Sequence, residues 1–459
     1  MKKTTAQRLR KSIMLLCKFT LTCLITGIFY LAYRLFYEDA TFFRRGNVIM
    51  LFLYMFLYFV FMRIYGGYDI GKLRIHEVQY SNMIATFMVN FIMFFVMSLV
   101  ARNMLNPFVL IITMLIQWGT SLLAYLSIYS IHRSLYKPIP TIMIFSKTEY
   151  DIKVAAKFKK STTYYELTEL CPEEMGFEAI ANEIAPYSAV ITGNIDIALR
   201  DKLIPYCFQH GKQLFLLPTE QDIILNNAKH YTICDTFVYS CKNRSFSLEQ
   251  LIIKRLIDIS ASFFGLVVAF PIMLATAIAI KFDDKGPVFY KQKRLTRNAH
   301  EFTILKFRSM VVDADKPGES TIALQDDKRI TRVGKFIRSA RIDELPQLIN
   351  VLVGDMSLVG PRPDLAENYE HFCKEYPQFI YRLKVKAGLT GLAQLYGKYN
   401  TSAVDKAKLD LLYIEKASIM QDLRLLLYTF KVIFIKESTQ GAGQKAASEF
   451  VHIDTNENI

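Results

Sequence analysis

Charged residues that could handle a phosphate group are concentrated in a short stretch of the second half of the chain. Two arginines, Arg338 and Arg341, lie just before the acidic pair Asp343 and Glu344. A carboxylate can attack phosphorus as a nucleophile, and its neighbour can hold a divalent cation that offsets the charge of a diphosphate. The planar guanidinium of arginine matches phosphate oxygens. Ordinary surface salt bridging would use the same residues, so both interpretations stay open for this motif alone.

Two further motifs could bind anions. The segment Phe302 to Arg308 (FTILKFR) is typical of a strand, on which Lys306 and Arg308 would point to one face. They would hold a phosphate or form a solvated basic edge. In Pro361-Arg362-Pro363, proline restricts the backbone on both sides of an arginine. This pattern predicts a stiff turn that presents the guanidinium to an anionic ligand, with a plain turn as the alternative.

Helices are predicted to carry and support these groups. The pattern from Phe336 to Leu348 predicts one helix, which would align Arg338, Arg341 and Glu344 or Leu345 on one face and turn Asp343 about 100° away from Glu344. The segment Leu409 to Ile435 predicts two amphipathic helices that break near Ser418. These helices would lie on a membrane surface or pack against the core of the domain.

The composition of the chain indicates a membrane protein. Of 459 residues, 52% are hydrophobic and 21% charged, and 56 Lys and Arg against 42 Asp and Glu leave a net charge of +14. This excludes a disordered or collagen-like chain. Four apolar runs approach or exceed the roughly 17 to 25 residues of a membrane-spanning helix: they are Phe19 to Phe36, Val48 to Ile64, Asn82 to Ala101 and Pro107 to Ile131. Basic residues at the N-terminus and after the fourth run predict that both lie on the cytoplasmic side.

A fifth apolar stretch, Leu256 to Phe282, has basic residues on both flanks. Two basic flanks would not both be cytoplasmic if the segment crossed the bilayer. Pro271, near its middle, is expected to kink the helix. Together these features predict a bent, re-entrant helix that enters and leaves on one side, and the alternative is a kinked span that exports everything downstream.

Between the fourth and fifth apolar runs, the pattern predicts a small parallel α/β domain. Its predicted strands are residues 141–145, 189–192 and 213–217, with helices near 150–158 and 197–210. The first strand is followed by Ser146-Lys147-Thr148-Glu149 where a dinucleotide site would have glycines. A structural or regulatory role is therefore expected, with ligand binding as the alternative. The seven scattered cysteines form no C-x-x-C pair and are expected to be reduced thiols.

Taken in order, five motifs between Lys254 and Phe434 closely resemble the bacterial sugar transferase family, the monotopic phosphoglycosyl transferases. The motifs are KRLID, KFRSM, RSARIDELPQ, GDMSLVGPRP and GLTGLAQ. With four preceding spans, the whole chain resembles the large form of the family, the polyprenyl-phosphate hexose-1-phosphate transferases. The expected organisation is four transmembrane helices (1–137), a degenerate Rossmann-like α/β domain (138–245), a mainly helical catalytic domain (250–436) with re-entrant helix 256–282, and a polar, disordered tail (437–459).

The resemblance implies roles for individual residues. Asp343 would be the nucleophile that forms a sugar-1-phosphoryl aspartate and releases UMP, and Glu344 would help to hold Mg²⁺. Arg338 matches the family arginine that contacts phosphate, and Pro361, Arg362 and Pro363 match the loop implicated in binding the nucleotide sugar. Pro271 matches the proline that breaks the re-entrant helix. Lys306, Arg308 and Arg341 join these residues as candidate substrate-binding groups.

The implied reaction transfers a sugar 1-phosphate from a UDP-sugar to undecaprenyl phosphate and starts exopolysaccharide, capsule or O-antigen assembly. Glucose, galactose and N-acetylated amino sugars are all candidate sugars. The expected location is the bacterial inner membrane, multi-pass, with the catalytic domain on the cytoplasmic face. Membrane lipids are expected partners, nucleic acid is not, and a homo-oligomer stays open. The alternative function is a non-catalytic membrane scaffold of polysaccharide assembly that retains the fold. A transporter would need more spans with polar residues inside them.

Overall fold

The computed structural model describes residues 2–42, 45–71, 73–159, 164–241, 246–312, 329–365, 369, 372–374, 376–397 and 401–433, without the side chains of residues 2–7 and 39. The chain forms two compact units, Met1–Leu217 and Pro218–Ile459. The predicted tail 437–459 lies outside the described residues.

Four long helices open the first unit, and each covers one predicted apolar run. They are α1 (Lys2–Phe36), α2 (Gly46–Ile64), α3 (Ile75–Ala101) and α4 (Pro107–Leu135). Helix α1 contacts α2 and α4, and α3 contacts the same two helices. Buried amides join them: the Gln117 side chain donates to the Tyr54 hydroxyl (2.9 Å) and the Ile25 carbonyl (3.1 Å) and accepts from Asn90 (2.7 Å). Pairing offsets the cost of placing amides among apolar side chains.

A four-stranded sheet follows these helices. Strands β1 (Ile139–Phe145), β2 (Tyr165–Pro172), β3 (Ala189–Thr192) and β4 (Gln213–Leu216) run parallel in the order β2-β1-β3-β4, with helices α5 (Glu149–Lys159), α6 (Phe177–Ile184) and α7 (Ile197–Gln209). The three predicted strands and two predicted helices are confirmed. Strand β2 was not predicted from continuous apolar runs, because polar residues interrupt its apolar ones and half of its residues are exposed.

The crevice between the carboxyl ends of β1 and β3 is filled by the protein itself. In doubly wound sheets, ligands bind at this point, where the strand order reverses. Here the buried carboxylate of Asp151 accepts hydrogen bonds from the backbone N–H of Ser146 and of Asn194 (both 2.9 Å) and from the Ser146 hydroxyl (3.0 Å). Gly193 lies against this carboxylate, and a side chain there would collide with it. The backbone N–H groups of Ser146 and Asn194 at this edge of the sheet are therefore already bonded to a side chain of the protein itself.

The second unit begins with a short helix, a hairpin and the fifth long apolar helix. Its helices are α8 (Glu220–Leu225), α9 (Leu248–Asp284), α10 (Arg332–Ser339), α11 (Gln347–Val353), α12 (Leu392–Tyr396), α13 (Ala403–Glu415) and α14 (Ile419–Ile433). Its strands are β5 (Lys229–Ile233), β6 (Thr236–Ser240), β7 (Phe289–Leu295), β8 (Glu301–Phe307), β9 (Ser357–Val359) and β10 (Gly388–Thr390). Strands β5/β6 and β7/β8 form antiparallel pairs, and β9/β10 form a parallel pair.

The core of the second unit includes residues of the predicted segment Leu409 to Ile435. Helices α13 and α14 break at the predicted position, and Tyr413, Ile414 and Leu425 lie in one apolar cluster with β8, α11 and β9 residues. They therefore pack against the core of the domain.

The second unit also begins earlier than residue 250, because α8 contacts α13 and Glu220 accepts a hydrogen bond from Tyr376. The sheet of the first unit thus ends before residue 218, inside the predicted 138–245 domain.

Helix α9 has 37 residues and an unusual distribution of polarity. Its few buried residues include Asp258, Ser262 and Thr276, whereas apolar side chains such as Phe264 (66%) and Val268 (76%) are exposed. This pattern is typical of a helix in contact with lipid. Five helices of the described chain, α1 to α4 and α9, are long and apolar enough to cross a membrane. Helix α9 runs through Pro271 without ending there, and the bend at Pro271 stays a prediction.

Candidate active site

The acidic pair lies on a tight turn between two helices, which corrects the predicted single helix over 336–348. Helix α10 ends at Ser339, a 3₁₀ turn covers Ile342–Glu344, and α11 begins at Gln347. Arg341 adopts a left-handed backbone conformation with φ of 57°, which an α-helix does not accommodate. Pro346 has no N–H to donate to the preceding turn. The turn, and not a helix face, therefore sets the direction of Asp343 and Glu344.

Glu344 is clamped by two arginines. The guanidinium of Arg362 donates to its carboxylate (Nη2 to Oε1, 3.0 Å), and Arg341 lies on the other oxygen (Nη1 to Oε2, 3.7 Å). Burial by itself would raise the pKa of Glu344, but Arg362, Lys306 and Arg341 outweigh it and lower the pKa to about 2. Glu344 in turn raises the pKa of Arg362. The predicted loop and the predicted acidic pair thus form one site.

The pKa of Asp343 is shifted in the opposite direction to that of Glu344. Burial, helped by the charge of Glu344, raises its pKa to about 6 despite Lys306, Arg338 and Arg341. The carboxylate of Asp343 is therefore ionised at neutral pH but is a stronger base than that of Glu344. Two neighbouring carboxylates whose pKa values are driven apart are typical of a site with divided chemical roles.

Lys306 and Arg308 are separated by the structure. Burial and the nearby Arg362 lower the pKa of Lys306 to about 8, although Glu344 and Asp343 oppose this shift. The predicted strand is confirmed as β8, but it ends at Phe307, and the buried Arg308 pairs with Asp284 at the end of α9. Lys306 therefore interacts electrostatically with the acidic pair, whereas Arg308 supports the junction between α9 and β8.

Arg338 and the proline loop complete the cluster. Arg338 stands in the last turn of α10, where its charge opposes the rise in the pKa of Asp343. Pro361 and Pro363 are buried, whereas the Arg362 side chain is 44% exposed. The N–H of Gly388 donates to the Pro361 carbonyl (2.8 Å). The loop therefore presents one arginine from a fixed backbone.

Sequence reasoning missed Asn350, a buried amide on α11. Its Oδ1 accepts from the N–H of Leu305 (3.0 Å), and its Nδ2 donates to the carbonyl of Thr303 (2.8 Å). These bonds join α11 to the edge of β8 and so hold the acidic turn beside Lys306. An asparagine inside the apolar sequence QLINVLV was the available signal, because a buried amide needs partners.

The KRLID motif has a structural role in the described contacts. Arg255 of α9 donates to the carbonyls of Val351 (2.7 Å) and Leu352 (2.8 Å), the last turn of α11. Lys254 binds Asp422 (2.6 Å), and the Asp258 carboxylate accepts from the N–H of Leu358 (3.0 Å). The carbonyls at a helix end lack partners within the helix, so Arg255 both caps α11 and fixes it to α9.

Two carboxylates are available for a divalent cation at this site. No group of three or more His, Cys, Asp or Glu side chains with metal-binding geometry occurs within the described residues. Mg²⁺ is commonly held by one or two carboxylates together with substrate phosphates and water. Asp343 and Glu344 fit that kind of site, in which the substrate supplies most of the other ligands.

Comparison with known proteins identifies relatives of the second unit. The family model described as bacterial sugar transferase matches residues 249–436. A UDP-N-acetylgalactosamine-undecaprenyl-phosphate N-acetylgalactosaminephosphotransferase of Aeromonas hydrophila is 42% identical over 184 residues, which cover 39% of this chain and 43% of that protein. A UDP-glucose:undecaprenyl-phosphate glucose-1-phosphate transferase of Klebsiella pneumoniae is 41% identical over 196 residues, which cover 41% of this chain and 42% of that protein.

A third relative is shorter. An uncharacterized sugar transferase of Bacillus subtilis is 38% identical over 200 residues, which cover 44% of this chain and 96% of that protein. The match thus spans nearly all of this relative but less than half of the other two.

Proposed function

Because the chain belongs to the bacterial sugar transferase family, we propose that it transfers a sugar 1-phosphate from a UDP-sugar to undecaprenyl phosphate and so starts exopolysaccharide, capsule or O-antigen assembly. The relatives from Aeromonas and Klebsiella carry names of this reaction class, with different sugars. The observation that carries the proposal is the pair Asp343 and Glu344, whose pKa values move in opposite directions inside a group of cations.

The cluster suits a diphosphate. Four cationic side chains, Lys306, Arg338, Arg341 and Arg362, act on two carboxylates, so the ionised site has an excess of two positive charges. Arginine binds phosphate oxygens through two parallel N–H groups, and the exposed side of Arg362 lies toward solvent, where a soluble substrate arrives. The diphosphate of a UDP-sugar would be bound by this excess charge.

Asp343 is the proposed nucleophile. Its carboxylate oxygen attacks the phosphorus that carries the sugar, the bond from that phosphorus to the bridging oxygen breaks, and the bridging oxygen leaves with UMP. A phosphate oxygen of undecaprenyl phosphate then attacks the same phosphorus and releases the Asp343 carboxylate. Glu344 suits this role less, because its electron pairs are stabilised by two arginines and its pKa is about 2.

Glu344 is the residue proposed to hold Mg²⁺, with Asp343 beside it. Both side chains are carboxylates. Oε2 of Glu344 lies 3.7 Å from Nη1 of Arg341, and this long distance leaves lone pairs on Oε2 for a metal. When bound, the cation would offset the negative charge of the diphosphate.

We place the catalytic unit on the cytoplasmic face of a bacterial inner membrane, with α9 as a re-entrant helix. Contacts of α9 with its own unit support this arrangement. Near its start, Arg255 and Asp258 bond to α11 and β9, and at its end Asp284 pairs with Arg308. If α9 crossed the bilayer, one folded domain would have to contact both faces of the membrane.

The topology can be tested by labelling. Single cysteines at Ser247 and Lys291, in a cysteine-free chain in intact cells, should both resist a membrane-impermeant maleimide and react after the cells are opened. Labelling of only one of the two in intact cells would overturn the re-entrant arrangement.

The reaction can be tested by UMP release. Purified protein is incubated with Mg²⁺, undecaprenyl phosphate and a panel of UDP-sugars, and one sugar should give turnover. Without undecaprenyl phosphate, that sugar should give a burst of about one UMP per enzyme, the signature of a covalent intermediate, and Asp343→Asn should give none. Absence of UMP with every sugar would favour the scaffold, whereas turnover without a burst would refute the covalent step.

A further inference from the structure

Arg382 is a buried arginine with no role in the chemistry described so far. It lies in the 3₁₀ helix Pro377–Lys384, its side chain is 8% exposed, and it stacks 4.5 Å from the centre of the Phe379 ring. Its guanidinium pairs with the carboxylates of Asp364 and of Asp410, the latter at 2.8 Å, and Asp410 is 1% exposed. A buried charge is costly unless it is paired, so these partners hold Arg382 in one position.

The same guanidinium also bonds to the backbone of the proline loop. Nη2 of Arg382 donates to the carbonyl of Arg362 at 3.1 Å. Because proline has no N–H, the segment 361–364 has lost two of its four backbone donors. Its fixation must therefore come largely through its carbonyl groups.

All four of these carbonyls accept a hydrogen bond from another element. Pro361 is bonded by the N–H of Gly388 (2.8 Å), Arg362 by Arg382 (3.1 Å), Pro363 by the side chain of Arg294 (3.3 Å) and Asp364 by the N–H of Leu295 (3.1 Å). The bond at Arg362 acts on the residue whose side chain reaches Glu344. Arg382 contacts the loop a second time, because its guanidinium also pairs with the carboxylate of Asp364.

We infer that Arg382, held by Asp410, is the positioning residue that sets Arg362 for the diphosphate of the nucleotide sugar. The inference rests on the proposed function. Arg382 lies behind the loop and acts through Arg362. Lysine would keep the charge but lack the planar group that pairs with two carboxylates and donates to one carbonyl together. Loss of this support lets the Arg362 backbone move and weakens its contact with the diphosphate.

The test measures UDP binding by calorimetry and steady-state kinetics with the UDP-sugar that the wild-type protein uses. Arg382→Lys should raise the Kd for UDP and the KM for the UDP-sugar roughly tenfold, and Asp410→Asn by a smaller factor. The UMP burst per enzyme should stay near one, because the folded fraction is unchanged. Glu301→Gln, which removes one charge from an exposed pair with Lys293, serves as the control and should leave both constants unchanged.

A double variant decides whether Arg382 acts through Arg362. In an Arg362→Ala background, Arg382→Lys should have almost no further effect on the Kd for UDP, since coupled residues are not additive. Additive effects, or a lower burst with unchanged KM, would overturn the inference. If Arg382→Lys fails to fold, Asp410→Asn in the same background gives the same test. Failure of the wild-type protein to bind UDP or release UMP would refute the proposed function, whereas normal wild-type activity with unaffected variants refutes only the inference.

Discussion

Two neighbouring carboxylates, Asp343 and Glu344, should have opposite effects on the stability of the protein. A carboxyl group whose pKa is raised by folding binds protons more readily in the native state, so its ionised form destabilises the fold. A carboxyl group whose pKa is lowered stabilises the fold when ionised. Asp343→Asn is therefore expected to make the protein more stable at neutral pH, and Glu344→Gln to make it less stable.

The size of both effects follows from the pKa values. Folding raises the pKa of Asp343 from 3.8 to about 6 and lowers that of Glu344 from 4.5 to about 2. Each shift is about 2 pH units, and at about 1.4 kcal/mol per unit each amounts to about 3 kcal/mol. The cost of ionised Asp343 is complete above pH 6 and absent below 3.8, whereas the stabilisation by Glu344 is complete above pH 4.5 and lost as the pH falls through 2.

The assay is thermal unfolding followed by circular dichroism in detergent at pH 7.5 and pH 4.5. At pH 7.5, Asp343→Asn should raise Tm by roughly 5–10 °C and Glu344→Gln should lower it by a similar amount. At pH 4.5 most of the gain from Asp343→Asn should disappear, while the loss from Glu344→Gln persists. A lower Tm for Asp343→Asn at pH 7.5, or a gain that does not depend on pH, would refute this account of the site.

Three other predictions concern the pH dependence of the reaction and the stability of each unit. The kcat/KM for the UDP-sugar should rise through a pH of about 6 as Asp343 ionises and fall above about 8 as Lys306 loses its proton; a flat profile from pH 5 to 9 would contradict both roles. Asn350→Leu leaves the N–H of Leu305 without its partner and should lower the free energy of unfolding by about 2–3 kcal/mol, measured by denaturant titration; an unchanged midpoint would show that the amide is dispensable. Asp151→Ala leaves the part-buried donors of Ser146 and Asn194 without this partner in the first unit and should lower its unfolding free energy by about 2 kcal/mol, while Asp196→Ala, at a more exposed position on the same unit, should cost less.

Burial patterns made most of the fold predictable. Continuous apolar runs identified four long helices and the strands β1, β3 and β4. The central strands β1 and β3 gave the clearest signal, because a segment buried on both faces must be apolar along its length. Exposed strand β2 lacked that signal. The break before Asp343 was also missed, since the left-handed conformation of Arg341 leaves no trace in the spacing of apolar residues.

The candidate site was only partly predictable. Asp343, Glu344, Arg338, Arg341, Lys306 and Arg362 were singled out by type and spacing, and the structure brings them together. Arg308 followed the same alternation as Lys306 but lies one residue beyond the strand, where it pairs with Asp284. Partners such as Arg382 and Asp410 are 28 residues apart, and charge pairs at that separation depend on tertiary packing that no local pattern encodes.

The bond between Lys254 and Asp422 has a consequence for the order in which the chain can fold during synthesis. These residues are 168 positions apart, and both side chains are almost buried in the finished unit. The ribosome delivers α9 long before α14, so Lys254 has to wait for its partner while the apolar face of α9 is already available to the bilayer. Completion of the catalytic unit therefore depends on one of its last helices, and a chain stopped before Ser418 would leave a buried lysine without its carboxylate.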